Sequence, residues 1–259
     1  MRRFPAERIV CLTEETVETL YLLGEQDRIV GVSGYAVRPP EVRKEKPRVS
    51  SFTSADVGKI AALKPDLVLA FSDIQGPIIP DLARAGLSVH LFNQRDLAGI
   101  FAMIRTLGAL IGEPGKADTL ARRLESRIAD IAAENKGRAK RPRVYFEEWN
   151  DPMISGIGWV SELIDIAGGI DVFAELATNP EAKQRIVTSE DVIAREPEVV
   201  LASWCGKKVR IESFKTREGW SVVPAIASGR IVEIKSPLIL QPGPAALTDG
   251  LDAIRAALR

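Results

Sequence analysis

The sequence is poor in the residues that most often bind metals or assist nucleophiles. It contains one histidine, His90, and two cysteines, Cys11 and Cys205, among 259 residues. No cysteine–histidine spacing typical of a zinc site is present. His90 and Cys11 both lie in apolar runs, so we expect packed structural roles for them. This scarcity disfavours zinc enzymes and nucleophiles that depend on a histidine base.

The chain also has no net charge, because 35 lysine and arginine residues balance 35 acidic residues. Nucleic-acid binding is driven by counterion release and needs a basic surface, so nucleic acid is not expected as a partner. Two local basic runs, Arg43–Arg48 and Lys136–Arg143, are interpreted as solvated loop and helix-end charge. The sequence has no G-x-S-x-G elbow and no Walker loop.

Long apolar stretches are missing too, and none approaches the ~20 residues that a membrane helix needs. The first five residues run directly into the strand-like segment Arg8–Leu12, without the apolar region of a signal peptide. The sequence as written therefore predicts a cytoplasmic protein, or a periplasmic one if a leader has been removed. No membrane insertion and no cofactor are expected.

Short apolar runs alternate with segments of helical periodicity, which is typical of βα units around a largely parallel sheet. The predicted strands are Ile9–Leu12, Ile29–Val32, Leu67–Phe71, Val89–Phe92, Val144–Glu147, Val199–Ser203 and Ile231–Ile234. The predicted helices are Thr16–Leu23, Asp56–Leu63, Pro80–Ala85, Asp96–Ile111, Trp159–Ala167 and Ser189–Arg195.

A long helix is predicted between the two sets of units. The segment Lys116–Lys140 has no proline, is rich in alanine, leucine and charged residues, and carries apolar residues at helical spacing. Gly137 is expected to close it, and its length corresponds to about six turns. The sequence thus predicts an α/β fold of two lobes with mostly parallel sheets, divided as 1–112, a connecting helix at 113–141, and 142–259.

The two lobes resemble each other in sequence. Asp56–Phe71 reads DVGKIAALKPDLVLAF and Ser189–Trp204 reads SEDVIAREPEVVLASW. Aligned on Pro65 and Pro197, both contain a helix, a proline, an acidic residue and a Val/Leu strand. This internal repeat favours a bilobal arrangement, although helix–proline–strand is also a common α/β combination.

Candidate ligand contacts are found just beyond the predicted strands, because open α/β sheets bind ligands at the carboxyl ends of their strands. Aromatic residues make up only 6% of the chain, yet many of them lie there or in adjoining loops. Flat rings at such an edge offer a stiff surface for a planar or bulky ligand. The candidates are Tyr35, Phe52, Phe71, Trp149, Trp159 and Trp204, together with Lys207.

An enzymatic alternative depends on few residues. Lysines close to Cys205 would lower the pKa of its thiol, but a small residue in a turn explains that position as well. Glu147 and Glu148 are adjacent, so on a strand their side chains face opposite ways and form no carboxylate pair. Paired with Glu14 or Glu15 from the first lobe, they would bind a hard cation. None of these features outweighs a binding role, and we do not expect an enzyme.

Several motifs resemble those of the class III periplasmic binding proteins, which bind vitamin B12 and iron–siderophores for ABC importers. They are R-I-V-C-L-T…L-G, R-I-V-G-V-S-G-Y, I-A-A-L-K-P-D-L-V-L-A, E-L-I-D-I-A-G-G and V-I-A-R-E-P-E-V-V-L-A. The similarity extends over roughly residues 8–258, and the branch that binds cobalamin is the most similar. It implies two Rossmann-like lobes joined by one long backbone helix, with the ligand in the cleft between them.

The resemblance assigns specific contacts. Tyr35, Phe52 and Phe71 occupy positions where family members hold the corrin ring with aromatic side chains. Met153 falls in the second-lobe cleft loop, where an aromatic residue often lies. Siderophore binders often carry an R-P-G-P-R-type segment near the C-terminus, but Leu240–Ala245 here lacks the arginines and leaves Gln241 as a neutral polar contact.

The resemblance also implies docking to a transporter through one surface glutamate on each lobe. Glu190 occupies that position in the second lobe, whereas the first lobe has Gly58 there. The expected function is therefore binding of cobalamin or a related corrinoid, either for ABC-type uptake through an importer permease or as a cytoplasmic relative. A haem or iron–siderophore ligand is the alternative.

Overall fold

The structure, a computed structural model, describes residues 4–259 and divides into two compact units. The first unit comprises the described residues up to Gln94 together with Ala98–Glu125. The second comprises Arg95–Leu97 and Ser126–Arg259. Within the described chain, no helix is both long and apolar enough to cross a membrane.

The first unit is built on a five-stranded, fully parallel sheet with the strand order β3-β2-β1-β4-β5. Its strands are β1 (Ile9–Cys11), β2 (Ile29–Ser33), β3 (Arg48–Ser50), β4 (Leu67–Phe71) and β5 (Val89–Phe92). Its helices are α1 (Glu14–Leu22), α2 (Val42–Glu45), α3 (Val57–Ala62), α4 (Ser72–Gln75), α5 (Ile79–Arg84) and α6 (Leu97–Leu110).

A 22-residue helix, α7 (Pro114–Asn135), carries the chain from the first unit into the second. It corresponds to about six turns, as predicted from the sequence. It ends before Gly137, whose φ of +79° suits a residue without a side chain at the end of a helix. The division between the units falls inside this helix, after Glu125.

The second unit has a mostly parallel sheet with the strand order β10-β9-β6-β7, and β8 also pairs with β6. Its strands are β6 (Arg143–Asn150), β7 (Met153–Ser155), β8 (Ile170–Asp171), β9 (Val199–Ala202) and β10 (Ile231–Glu233). Only β7 runs antiparallel, in a hairpin with β6. Its helices are α8 (Gly158–Ile166), α9 (Ala174–Ala177), α10 (Ser189–Arg195), α11 (Ile211–Lys215), α12 (Pro224–Ala227), α13 (Ser236–Ile239) and α14 (Leu251–Ala257).

The predicted α/β class, with two mostly parallel sheets and one long helix, is therefore confirmed. All seven predicted strands are present, most within one residue of the predicted bounds, although β6 continues to Asn150. Strands β3, β7 and β8, which have only two or three residues each, were not predicted. Such short strands cannot show a period-2 pattern.

The internal repeat is also visible in the backbone. Both α3 and α10 end just before a residue in the left-handed conformation, Lys64 with φ 48° and Glu196 with φ 43°. Each of these residues precedes the proline, Pro65 or Pro197, on which the two segments were aligned. A proline disfavours helical geometry in the residue before it, so the two helices stop at equivalent points.

The same arginine contact recurs in both units. Arg8 directly precedes β1, and Arg143 is the first residue of β6. Arg8 Nε donates to the Lys64 carbonyl at 3.2 Å, and Arg143 Nε donates to the Glu196 carbonyl at 3.0 Å. Their backbone N–H groups donate to Asp66 and Glu198, at 3.0 Å in both cases. The acidic residue shared by the two segments therefore anchors the strand next to it.

The cores differ in composition. One core cluster of the first unit is aliphatic, with Val10, Leu12, Ile60 and Val68 among its members. In the second unit a cluster of aromatic rings fills the core instead. Its buried rings are Tyr145, Phe173, Trp204, Phe214 and Trp220.

Candidate functional site

One buried glutamine organises the carboxyl edge of the first sheet. Gln75 follows β4, and its amide nitrogen donates to the carbonyls of Leu12 at 3.1 Å and Phe52 at 2.9 Å. Its amide oxygen accepts from the backbone N–H of Phe71 at 3.0 Å. The side chain therefore joins the end of β4 to the segments that follow β1 and β3. The sequence did not single out Gln75, because its contacts depend entirely on tertiary structure.

Two of the predicted aromatic residues form an accessible pair at this edge. Tyr35 follows β2 and is 51% exposed, and Phe52, which follows β3, is partly exposed. Their ring centroids lie 6.4 Å apart at an interplanar angle of 85°, an edge-to-face arrangement. The first unit thus presents aromatic surface at the end of β2 and β3.

Phe71 also lies at this edge but offers little surface. It is the last residue of β4 and only 6% exposed. Ser72, which follows it, has a positive φ of 64° and is completely buried. Phe71 is therefore placed to support the edge from inside the unit more than to cover a ligand.

Two buried glutamates open α1 at the end of β1. Glu14 is 3% exposed and Glu15 is 1% exposed. Burial, reinforced for Glu14 by the negative charge of Glu18, raises the pKa of Glu14 to about 8 and that of Glu15 to about 7. The Thr13 hydroxyl donates to Glu15, which partly counters that rise. One oxygen of each carboxyl group, Glu14 Oε1 and Glu15 Oε2, has no hydrogen-bond partner.

At the carboxyl edge of the second sheet, Glu147 is completely buried and fully paired. Arg217 donates to both of its oxygens, at 2.6 and 2.9 Å. Tyr145 Oη and Trp204 Nε1 each donate one more bond at 3.1 Å. The Arg217 guanidinium also lies over the rings of two core aromatics. This carboxylate therefore has no oxygen free for a cation or a substrate.

Glu148 points away from Glu147, as expected for adjacent residues of a strand, and has its own arginine. Arg185, which is 1% exposed, donates to the two Glu148 oxygens at 2.6 and 3.1 Å. The two glutamates thus hold structural ion pairs rather than a catalytic pair. Neither Arg185 nor Arg217 was singled out in the sequence, since nothing local links them to the strand.

Trp149 and Lys207 come together at the same edge. The Lys207 ammonium lies 5.1 Å from the ring centroids of both Trp149 and Trp204, and it donates to Asn150 Oδ1 at 3.0 Å. Trp149 is partly exposed, and its Nε1 donates to the Asp151 carbonyl at 2.9 Å. The structure therefore brings three of the predicted site residues together.

Trp204 is 2% exposed and stacks on Phe214, with ring centroids 6.0 Å apart at 22°. Trp159 is 3% exposed, and its Nε1 donates to the Ile239 carbonyl at 2.8 Å. Both indoles are therefore packed inside the second unit. The face of the Trp204 ring beneath Lys207 lies at the carboxyl edge of the second sheet.

Met153 and Gln241 are both partly buried. Met153 begins β7, and its sulfur accepts a hydrogen bond from Arg217 at 3.3 Å. Gln241 follows α13 and is partly exposed. Met153 thus lies beside the Glu147–Arg217 pair, where it packs against the aromatic core.

The cysteines show no sign of activation. Burial raises the pKa of Cys11 to about 12. Loss of hydration and the negative charge of Glu148 raise the pKa of Cys205, which is the opposite of what lysine activation would require. No group of three or more histidine, cysteine or acidic side chains in residues 4–259 is arranged to hold a metal ion.

The two positions considered for transporter docking are both on the surface. Glu190 is exposed in the first turn of α10, which a Thr188–Asp191 capping box fixes at its start. Gly58 is exposed in α3, and a Cβ placed there would approach only Asp56 Oδ1, at 3.5 Å. The Glu190 side chain is therefore accessible, and Gly58 has space for a side chain.

Comparison with known proteins identifies the family. A model of the periplasmic binding protein family matches residues 9–238. The chain belongs to this family. The sequence resemblance is thus confirmed.

Three individual matches agree with this assignment. The uncharacterized ABC transporter substrate-binding lipoprotein YvrC of Bacillus subtilis is 26% identical over 257 residues, covering 96% of this chain and 78% of that protein. The vitamin B12-binding protein of Vibrio cholerae is 28% identical over 204 residues, covering 77% and 71%. The periplasmic heme-binding protein RhuT of Roseiflexus sp. RS-1 has a TM-score of 0.83 and 26% identity, covering 98% and 100%. These matches support a substrate-binding role in ABC-type uptake.

Proposed function

We propose that this protein binds cobalamin or a related corrinoid for ABC-type uptake. The observation that carries the proposal is the accessible Tyr35–Phe52 pair at the carboxyl edge of the first sheet, in which Tyr35 is exposed and Phe52 partly exposed. A corrinoid is a broad, largely flat macrocycle, and exposed rings give it stiff contact area at little cost in conformational entropy. Relatives named vitamin B12-binding proteins supply the ligand class.

The second unit supports the same proposal. Trp149 is its accessible aromatic residue at the carboxyl edge, next to the partly exposed Met153. The buried Glu147–Arg217 pair beneath them holds the end of β6 in place. We propose Tyr35 and Phe52 as ligand-contacting residues of the first unit. In the second unit we propose Trp149 and Met153, with Gln241 as a polar contact. Phe71, Trp159 and Trp204 support these contacts from the interior.

A direct titration tests the proposal. We expect cyanocobalamin to bind the purified full chain with a saturable change in its visible spectrum and to raise the melting temperature. Tyr35→Ala should weaken binding by about ten-fold, since an aromatic contact is worth on the order of 1–2 kcal/mol. Tyr21→Ala, which removes a tyrosine from the far end of α1, is the control. Absence of any spectral or thermal response to cyanocobalamin would rule the proposal out.

Haem is a second candidate, favoured by the phenol group of Tyr35. The RhuT match is to a heme-binding protein, and a tyrosine oxygen is one of the axial ligands that haem iron accepts. The variant Tyr35→Phe separates the two ligands, because it keeps the ring and removes only the oxygen. Unchanged cyanocobalamin binding favours the corrinoid. A haemin spectrum that shifts in the wild type but not in Tyr35→Phe favours haem.

We further propose that Glu190 contacts the importer permease. It is a charged, exposed side chain in the first turn of α10, and it makes none of the contacts described at the carboxyl edge. Glu190→Lys should reduce permease-dependent uptake in reconstituted vesicles while cyanocobalamin affinity stays unchanged. Equal uptake by the wild type and the variant would contradict this assignment. Gly58→Glu provides the corresponding carboxylate in the first unit and should increase uptake if both units dock.

The cellular location follows the same reasoning. One relative is named a lipoprotein and the family is that of periplasmic binding proteins, so we propose that the protein acts outside the cytoplasmic membrane. Fractionation of cells that express the gene in its natural context tests this. Recovery of the protein with cytoplasmic markers alone would contradict it.

A further inference from the structure

The second unit carries an ammonium group that lacks a carboxylate partner. In the described residues, no acidic side chain forms an ion pair with Lys207; its contacts are Asn150 Oδ1 at 3.0 Å and the faces of Trp149 and Trp204. An amide oxygen and two neutral rings fix the position of the ammonium without neutralising its charge. Lys207 therefore presents a positive charge at the carboxyl edge.

Two carboxylates at this edge, Glu147 and Glu148, already have arginine partners. Glu147 is bound to Arg217, and Glu148 is bound to Arg185, each through two hydrogen bonds. Neither can turn to Lys207 without leaving a buried or partly buried arginine unpaired, which lowers stability. The charge on Lys207 thus remains available to a group that arrives from outside the chain.

The surroundings also limit where that group can lie. Trp149 is the next-to-last residue of β6 and Lys207 lies in the loop after β9, and these two strands are adjacent and parallel. Asn150 takes one of the three ammonium N–H groups, so others remain as donors. A ring system resting on Trp149 would place its peripheral substituents near the ammonium.

We propose that Lys207 recognises an anionic substituent, a phosphodiester or a carboxylate, on the planar ligand of this protein. The inference rests on the proposed function and adds the charge of the ligand to it. An oxyanion bound to an ammonium forms charge-assisted hydrogen bonds, which are stronger than neutral ones and add specificity. The aromatic residues then supply contact area, and Lys207 selects among flat ligands.

Three probes separate the possibilities. Cyanocobalamin carries a phosphodiester, dicyanocobinamide has the same corrin ring without the nucleotide and its phosphate, and haemin carries two carboxylates. Affinities are measured by calorimetric titration of the full chain for the wild type, Lys207→Met, Lys207→Arg and Lys208→Met. Lys208 is the matched control, because it is the adjacent lysine and is exposed. Melting temperatures verify that all variants are folded.

We expect Lys207→Met to weaken binding of the anionic macrocycle about ten-fold and to leave dicyanocobinamide affinity unchanged. Lys207→Arg should retain most of the affinity, and Lys208→Met all of it. A selective loss for cyanocobalamin identifies a phosphodiester, and a selective loss for haemin identifies a carboxylate.

Two results would overturn the inference while leaving the proposed function intact. One is equal affinity of Lys207→Met and the wild type for every probe. The other is an equal loss for cyanocobalamin and dicyanocobinamide, which would mean that Lys207 only supports the tryptophans. If the wild type binds none of the three macrocycles, the proposed function fails and the inference fails with it.

Discussion

Arg217 connects the core of the second unit to its carboxyl edge through a single buried charge pair. It is the guanidinium partner of the completely buried Glu147 and lies over Phe214 and Trp220. We predict that Arg217→Met lowers the free energy of unfolding by about 3 kcal/mol, because it leaves a buried carboxylate without its counter-charge. Denaturant titration followed by tryptophan fluorescence measures this loss.

The double variant Glu147→Gln/Arg217→Met is the control for that prediction. Removing both charges avoids an unpaired carboxylate, so the double variant should be more stable than Arg217→Met alone. A double variant that is less stable than the single one would show that the side chains act by packing rather than by charge.

Glu14 makes stability depend on pH in the neutral range. Its pKa is raised to about 8 in the folded protein, so the folded state binds the proton more tightly than the unfolded chain does. The stability that Glu14 contributes is therefore fully present below pH 4.5, the ordinary pKa of a glutamate, and is lost as the pH rises through about 8. We predict that the free energy of unfolding falls by about 2 kcal/mol between pH 6 and pH 8 from Glu14 alone.

Thermal and denaturant unfolding at a series of pH values measures this dependence. Glu14→Gln should flatten the profile and raise stability at pH 8, since a neutral amide has no charge to bury. Glu190→Gln, which changes an exposed carboxylate, should leave the profile as in the wild type. A wild-type profile that rises from pH 6 to pH 8 would refute the assignment.

The side-chain partners explain which site residues the sequence could predict. Tyr35 and Trp149 were named as candidates because they follow predicted strands, and the structure places both at the carboxyl edge of a sheet. Trp204 occupies an equivalent position, but its indole N–H turns inward to Glu147 at 3.1 Å. Gln75 was missed because its three hydrogen bonds join segments far apart in the chain.

Helices α6 and α7 approach each other closely at one glycine. A Cβ on Gly108 would lie 2.2 Å from Ala117 Cβ and 3.1 Å from the Glu113 carbonyl oxygen. Gly108→Ala should therefore destabilise the protein by about 1–3 kcal/mol, although alanine favours helices. Chemical denaturation measures the change in the free energy of unfolding.

Gly58→Ala in α3 is the matched substitution. Gly58 is exposed, and the added Cβ would meet only Asp56 Oδ1 at 3.5 Å. Alanine should raise stability there by about 0.5 kcal/mol, since glycine has more backbone freedom to lose. Equal effects of the two substitutions would indicate that helix propensity rather than the α6–α7 approach decides them.

The elements themselves were predicted well where the sequence pattern was long enough. The periodicity of the Lys116–Lys140 segment predicted α7, and the Val/Leu runs predicted β4 and β9. The short strands β3 and β7 were missed, because Arg48–Ser50 follows a basic run and Met153–Ser155 depends on a hairpin with β6. Their pairing is a tertiary effect that no three-residue pattern can indicate.

At the scale of the whole molecule, the repeat predicted two similar units, and the structure gives the reason for the similarity. Arg8 and Arg143 make the same pair of contacts, to a left-handed residue and to the acidic residue two positions beyond it. The ligand could not be predicted this way, because the repeated contacts of Arg8 and Arg143, called the frame below, stabilise each unit and lie away from the candidate ligand contacts. The residues that differ between the units, such as Tyr35 and Lys207, are those proposed to contact the ligand.

Because the frame contacts and the proposed ligand contacts lie in different parts of each unit, ligand binding should affect them differently in the full chain. At a cyanocobalamin concentration of about 100 times the dissociation constant, linkage should stabilise the protein by about 2.7 kcal/mol. Hydrogen exchange with mass spectrometry should then show the strongest local protection at 33–36 and 51–53 in the first unit and at 149–153 and 205–208 in the second. The frame contacts around Arg8 and Arg143 should show only the global effect.

The repeated frame provides an internal control, because it occurs once in each unit at the ends of the strands opposite the proposed contacts. A ligand that bound one unit alone would protect the carboxyl edge of that unit. The carboxyl edge of the other unit would then show no more protection than the segments around Arg8 and Arg143. Protection centred on Arg8 or Arg143 would place the ligand at the amino ends of the strands and contradict the proposed site.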